Sequence, residues 1–128
     1  CKICPDAIGE SSDIATLDTW RGGSPKGEDE GFNAAIVRTN KGYDLLNEAV
    51  NADYIEMGNQ LEIEDIDDFQ PHQVNKKKAV YARHLGMKKS DVPTLITKGL
   101  RIKELYEIND NKFNLKEEEG ISGRIKKI

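Results

Sequence analysis

The stretch Asp13-Ile14-Ala15-Thr16-Leu17-Asp18 decides the fold, because its polar and apolar residues alternate at period two. This period is typical of a half-buried β-strand. A more continuous apolar run over residues 32–37 predicts a second strand. The connection over residues 20–31 holds four glycines and one proline and is too long for a hairpin turn. Its composition fits an ordered functional loop or a mobile one.

Helical patterns follow the two strands. Thr39 is a typical N-cap residue, and an apolar face indicates a helix over residues 41–52. A longer helix is expected from Pro71 to about Leu85, where Gly86 would end it. The inner stripe of that helix is predicted to consist of Val74, the Lys78 stem, Tyr81 and Leu85.

The other segments complete the predicted architecture. Residues 54–63 indicate a short strand or a hairpin pair around a Gly-Asn turn signal. A further helix is expected after Pro93 up to about Leu105, and residues 109–128 are expected to be an irregular polar tail. Strands alternating with helices predict an α/β or α+β fold with a small mixed sheet flanked by helices. A length of 128 residues fits a single domain.

Composition and charge exclude several classes of protein. No apolar run approaches the roughly 20 residues that a bilayer span needs, so no membrane span is predicted. A formal charge of -4 argues against nucleic acid as a main partner. The charge is divided, since residues 53–68 carry seven acids and no base, whereas residues 76–103 carry nine Lys or Arg against Asp91 alone. Such runs are typical of solvated faces or of faces that pair across a fold.

Cys1 and Cys4 form a C-x-x-C in a chain without other cysteines. So few cysteines favour a reducing compartment, most simply the cytoplasm. Half of a zinc site, a redox dithiol and two of the four thiolates of an iron–sulfur cluster all fit the pair, as do two inert thiols. The dithiol is disfavoured because no helix follows Cys4 to lower the pKa of a thiol. His72 and His84 lie too far along the chain for zinc-finger spacing.

Several short motifs follow one another along the chain. They are Cys1-Lys2-Ile3-Cys4-Pro5-Asp6, Ser12-Asp13-Ile14-Ala15-Thr16-Leu17-Asp18-Thr19-Trp20, Gly27-Glu28-Asp29-Glu30-Gly31-Phe32-Asn33, Ile36-Val37-Arg38-Thr39 and Gly42. Pro71-His72-Gln73, Lys77-Lys78 and Ala82-Arg83 continue the series. Together they resemble the C-terminal domain of the coenzyme F-420 hydrogenase/dehydrogenase beta-subunit family, over most of the chain up to about Lys103.

The resemblance implies part of a flavin- and iron–sulfur-containing oxidoreductase. Members pass electrons between a partner subunit, a 4Fe-4S cluster, FAD and a substrate that is often the deazaflavin coenzyme, with relatives acting on tetrapyrroles. The C-x-x-C of the family contributes cluster ligands, which implies this role for Cys1 and Cys4. Typical members have an upstream domain with further cysteines, so both cofactors are expected only together with that part, and the fragment alone is expected to be inactive. No catalytic residue is assigned.

An FAD pyrophosphate can be held by helix N-termini, glycine-rich backbone and basic side chains. The 20–31 loop, the predicted helix start after Thr39 and a basic stripe at Gln73, Lys76, Lys77 and Arg83 offer such groups. The predicted cofactor-binding residues are Arg38, Thr39, Gln73 and Lys77. The alternatives are that Arg38 pairs with the acids of residues 53–68 and that Lys76 to Lys78 form a solvated helix face. His72 is expected to be partly exposed at a helix N-terminus, with proton transfer as the alternative.

Two further hypotheses stay open. In the first, the chain is a non-catalytic docking module that binds a partner protein, an activated sugar or an acidic ligand through the basic surface of residues 76–103, because fold does not fix function. In the second, Cys1 and Cys4 form half of a zinc site between subunits.

Overall fold

The computed structural model describes residues 2–27 and 31–127, which form two compact units. The hairpin unit is Ile8–His72, and the helical unit comprises the described residues of Cys1–Ala7 and Gln73–Ile128. The elements are β1 (Ile14–Asp18), a 3-10 turn (Arg21–Gly23), β2 (Asn33–Val37), α1 (Asn40–Asn51), α2 (Ile63–Phe69), α3 (Pro71–Lys89), α4 (Ile102–Ile108) and α5 (Asn111–Ile125). This content of strands and helices confirms the predicted α/β class, whereas a single domain stays a prediction.

Both predicted strands are present in the hairpin unit. β1 and β2 pair antiparallel, with Ile14 opposite Val37 and Asp18 opposite Asn33. Within the described residues the sheet has these two strands alone, so the prediction of a mixed sheet is wrong. The reason is topological, because parallel pairing needs a crossover connection, whereas a plain loop suffices to join antiparallel neighbours.

α1 begins where the sequence predicts. Thr39 caps it, since the Thr39 hydroxyl accepts a hydrogen bond from the Gly42 backbone N–H at 3.1 Å. Gly42 is buried, and a Cβ atom there would lie 2.5 Å from the Asp13 carbonyl oxygen. The helix start therefore packs against the chain just before β1 at a distance that only glycine permits.

The segment after α1 forms no strand. Asp53 adopts a left-handed conformation with φ of 57°, and the described residues 55–61 make no backbone hydrogen bond that would define a strand. The prediction of a strand or hairpin over residues 54–63 is therefore wrong, because a Gly-Asn turn signal makes a hairpin only where the flanking segments pair with each other. α2 follows, with Glu62 and Asp65 forming a reciprocal capping box at its start.

α3 starts at Pro71 as predicted but continues past Gly86 to Lys89. Its end is a Schellman motif, since the Val92 and Asp91 N–H groups bond to the Met87 and Lys88 carbonyls and Asp91 has a φ of 57°. The predicted inner stripe is only half-buried. The buried residues are instead Lys77, Ala79, Val80, Ala82, His84, Gly86 and Met87.

The chain after α3 departs most from the predictions. No helix follows Pro93 directly, because Gly99 and Arg101 have positive φ values of 78° and 50°, and α4 begins only at Ile102. The predicted irregular tail is a helix, α5, whose N-cap Asp110 accepts hydrogen bonds from two backbone N–H groups. Among the described residues, no helix combines the length and the apolar character that crossing a membrane requires.

Candidate functional site

The first candidate site is the cysteine peptide, residues 2–5 of the helical unit. Cys4 is a free, exposed cysteine. The predicted second ligand, Cys1, lies outside the described residues. Within the described part of the chain, no three His, Cys, Asp or Glu side chains converge in a way that could hold a metal ion. Among the described residues, Cys4 is thus the thiol available at this peptide.

Three side chains of α3 hold the cysteine peptide by its carbonyl groups. The Lys77 ammonium donates to the Pro5 oxygen at 3.0 Å, and an Arg83 N–H donates to the Lys2 oxygen at 2.7 Å. His84 Nε2 lies 3.2 Å from the Ile3 oxygen. Because a carbonyl oxygen can only accept, this His84 hydrogen bond requires the proton on Nε2.

Helical spacing brings these side chains to one peptide. Lys77 and His84 are seven residues apart, which is about two turns, so they share one face of α3. Both are nearly fully buried, with 4% and 5% of their surface exposed. Arg83 reaches the peptide from the flank and is anchored by Glu117 on α5, whose carboxylate accepts at 2.8 Å. A buried ammonium or imidazole is stable only when it is hydrogen-bonded, and here the partners are carbonyls beside Cys4.

The second candidate site lies in the hairpin unit at the start of α1. The Arg38 guanidinium donates to the carbonyl oxygens of Gly9 at 2.9 Å and Ile8 at 2.8 Å. Thr39 donates its hydroxyl to Asp13 at 2.7 Å while capping the helix. The structure thus brings the predicted residues Arg38 and Thr39 together, and it shows both engaged in fixing the loop and the helix start.

An open depression adjoins this helix start. It is lined by Val37, Arg38, Thr39, Asn40 and Tyr43. The first turn of α1 contains no acidic residue, which suits a negatively charged group at the positive end of a helix. The Asp13 carboxylate accepts a hydrogen bond from the Thr39 hydroxyl and lies 3.7 Å from the Lys41 ammonium. One negatively charged side chain of the protein therefore already lies at this end of the helix.

Acidic residues of the segment 53–68 pair with a base on the loop before β2. Arg21 pairs with Asp68 at 2.9 Å and with Asp65 at 3.5 Å, and its guanidinium lies 5.2 Å from the centre of the Phe69 ring. Two acids of residues 53–68, Asp65 and Asp68, therefore pair with Arg21, whereas the hydrogen-bond partners of Arg38 are carbonyls.

The remaining predicted residues lie on α3. Gln73 is half-buried and accepts a hydrogen bond from Lys76 at 3.0 Å. His72 is exposed at the second position of α3, as predicted. Sequence reasoning missed His84, and it did not connect Arg83 with the cysteines. The available signal was the seven-residue spacing of Lys77 and His84, which places both on the inner face of one helix.

A family model for the C terminus of the beta subunit of coenzyme F-420 hydrogenase/dehydrogenase matches residues 1–63. The match confirms the resemblance predicted from the sequence motifs over this part of the chain. It includes both cysteines, Arg38 and Thr39, whereas the motifs on α3 lie beyond the matched residues. No curated protein and no solved structure matches the chain significantly.

Proposed function

We propose, on the premise that residues 1–63 belong to the coenzyme F-420 hydrogenase/dehydrogenase beta-subunit family, that this chain acts in electron transfer. Its role is that of the C-terminal domain of a flavin- and iron–sulfur-dependent subunit that passes electrons or hydride to or from a deazaflavin-type coenzyme. The observation that carries the proposal is the family match over the part of the chain that holds both cysteines. The other subunit of the proposed complex is an electron-transfer partner.

The donor chemistry at the cysteine peptide fits one part of a 4Fe-4S cluster. Cys4 offers an exposed thiol, and Cys1 is the proposed second ligand. A cubane cluster needs four thiolates, so two ligands are needed besides Cys1 and Cys4. When bound, such a cluster supplies one-electron transfer. The residues of α3 supply the fixed position of Cys4 and positive charge near it.

For FAD, the proposed contact is the depression at the start of α1. The hydrogen bonds to Gly9 and Ile8 use two of the five N–H donors of Arg38, so the same guanidinium can also bind an oxygen atom of a phosphate. Thr39 holds the helix start in place. Gln73 stays a proposed contact, whereas the bond from Lys77 to Pro5 supports a role for Lys77 at the cysteine peptide.

The test is anaerobic reconstitution of the natural full-length protein with iron, sulfide and FAD. We expect a flavin spectrum, about four iron atoms per chain, and reduction of the deazaflavin coenzyme in the presence of an electron donor. Cys4→Ser should lose the iron, while Ser24→Ala, a change at another exposed position, should retain it. Full-length protein without iron and without flavin would refute the proposal, and about one zinc per two chains would favour the shared zinc site instead.

A docking module is a second candidate, favoured by one surface of the helical unit. Leu95 is 53% exposed and Ile96 fully exposed, in an irregular stretch flanked by exposed bases such as Lys98 and Arg101. Apolar side chains ringed by charge are typical of protein interfaces. If docking is the main role, Ile96→Ser should abolish copurification of the neighbouring subunit, and Lys26→Ser should not. Iron and flavin should be absent from both variants and from the wild-type protein.

A further inference from the structure

We propose that Lys77, Arg83 and His84 are positioning residues that fix the backbone on both sides of Cys4, so that its thiol is presented at the surface for a metal. Their role toward a cluster rests on the proposed function. Their role in holding the peptide rests on the hydrogen bonds alone. The two can therefore be tested separately.

The hydrogen bonds restrict the backbone on each side of Cys4. Each planar peptide unit has one carbonyl, so a bond to that carbonyl restrains the whole plane. His84 restrains the plane between Ile3 and Cys4, and Lys77 restrains the plane after Pro5. Arg83 adds a third restraint at the carbonyl of Lys2.

The proline completes the restraint. Its ring fixes φ of Pro5 near -65°, and a following proline also disfavours the helical region for Cys4 itself. Between the two restrained planes, the Cys4 backbone keeps little rotational freedom. A metal ligand that is already ordered loses less conformational entropy when it binds, which favours binding.

The groups that hold the peptide and the Cys4 thiol differ in burial. The holding groups Lys77 and His84 are buried, whereas the Cys4 side chain is exposed. The carbonyls are thus directed at α3 and the thiol is accessible. The contacts also place a lysine and an arginine next to this peptide, and the arginine is already paired with Glu117. Positive charge near thiolate ligands favours the negative charge that they bring to a cluster.

Backbone 15N NMR relaxation of the natural full-length protein, without added metal, tests the positioning role. Lys77→Met removes the ammonium and keeps most of the side-chain length. We expect the order parameters of the Cys4 and Asp6 amides to fall from about 0.85, the value of rigid backbone, to below about 0.6. Lys77→Arg should restore most of the order. Lys76→Met is the matched control, because the Lys76 ammonium bonds to Gln73 and not to the peptide.

The pattern of order parameters separates positioning from general stability. A positioning role predicts lower order parameters at Ile3, Cys4 and Asp6 with unchanged values in α5. An equal fall throughout α3 and α5, or no fall at these three residues, would overturn the proposal. If Lys77→Met does not fold, His84→Leu provides the same comparison at the Ile3 carbonyl.

Iron content distinguishes this proposal from the proposed function. If both are right, reconstituted Lys77→Met protein binds several-fold less iron than wild-type protein, and Lys77→Arg recovers it. If the wild-type protein binds no iron while the order parameters change as expected, the cluster is refuted and the peptide restraint stands. Normal iron content in Lys77→Met, together with low order parameters at Cys4 and Asp6, would refute the link between the restraint and the metal.

Discussion

Gly86 offers the sharpest test of the helical unit, because the sequence predicts a helix stop there and the structure shows a close contact. A Cβ atom at Gly86 would lie 2.3 Å from the carbonyl oxygen of Glu118 and 2.5 Å from the side chain of Ile121, both on α5. Ordinary contacts of a Cβ atom begin at 3.4 Å. Gly86→Ala therefore requires α5 to move away from α3 by about 1 Å at this point.

Two opposing terms set the magnitude. Alanine is better than glycine inside a helix by about 1 kcal/mol. Forcing a methyl group into a packed site costs about 1–3 kcal/mol, and the upper end applies here because backbone atoms must shift. The net expectation is a loss of about 1–2 kcal/mol in the free energy of unfolding, or a melting temperature lower by about 4–8 °C for a protein of this size.

Gly120→Ala is the matched control on α5. A Cβ atom there meets no atom within 4 Å, so the helix gains propensity without a clash. We expect this variant to be more stable by about 0.5–1 kcal/mol. Urea unfolding followed by circular dichroism measures both variants on one scale. If Gly86→Ala is as stable as the wild type while Gly120→Ala is stabilised, the close contact between α3 and α5 is wrong.

Three other predictions concern helix ends and pH. Thr39→Ala should lower the unfolding free energy by about 1 kcal/mol because α1 loses its cap, and Thr39→Ser should retain it. Asp110→Ala should lower the unfolding free energy by a similar amount because α5 loses its cap, whereas Asp110→Asn should not. Urea unfolding measures both variants. The hydrogen bond and the charge of Glu118 raise the pKa of Lys89 above its usual 10.5. Their contribution to the free energy of unfolding is therefore complete below pH 10.5 and is lost as the pH rises through the raised pKa. Urea midpoints should therefore fall at high pH in the wild type and fall less in Lys89→Met.

The parts of the fold that could be predicted are those specified by local chemistry. β1 follows from alternation, β2 follows from a continuous apolar run, and α1 follows from Thr39 and an apolar face. α5 was missed because two of its three buried residues, Asn114 and Glu118, are polar. Asn114, which is 4% exposed, donates to the Tyr106 carbonyl and accepts from Asn109, and Glu118 pairs with Lys89. A hydrophobic pattern cannot reveal a helix whose buried positions are satisfied by hydrogen bonds.

Long-range packing explains the other errors. From the sequence, Gly86 predicts the end of a helix, but in the structure its missing side chain allows close approach to α5. The residue that follows the end of α3 in a left-handed conformation is Asp91. For the candidate site, the proximity of Arg38 and Thr39 at the start of α1 follows from their adjacency in the sequence. The contacts of Lys77 with Pro5 and of Arg83 with Lys2 join residues far apart in sequence, so they depend on the fold of the helical unit.

The run of bases on α3 therefore does not act as one surface. Helical phase turns Lys77 and His84 inward to the cysteine peptide, whereas Lys88 and Lys89 at the end of the helix are exposed. Counting charges along the sequence thus overestimates the bases that are available to a cofactor. Counting charges also does not show that one part of the chain depends on another. The family match ends at residue 63, yet the peptide that carries Cys4 is held by residues 77–84. The proposed metal ligand Cys4 consequently relies on a helix outside the matched part, and a chain that ends at residue 63 would keep Cys4 while losing the groups that hold its peptide.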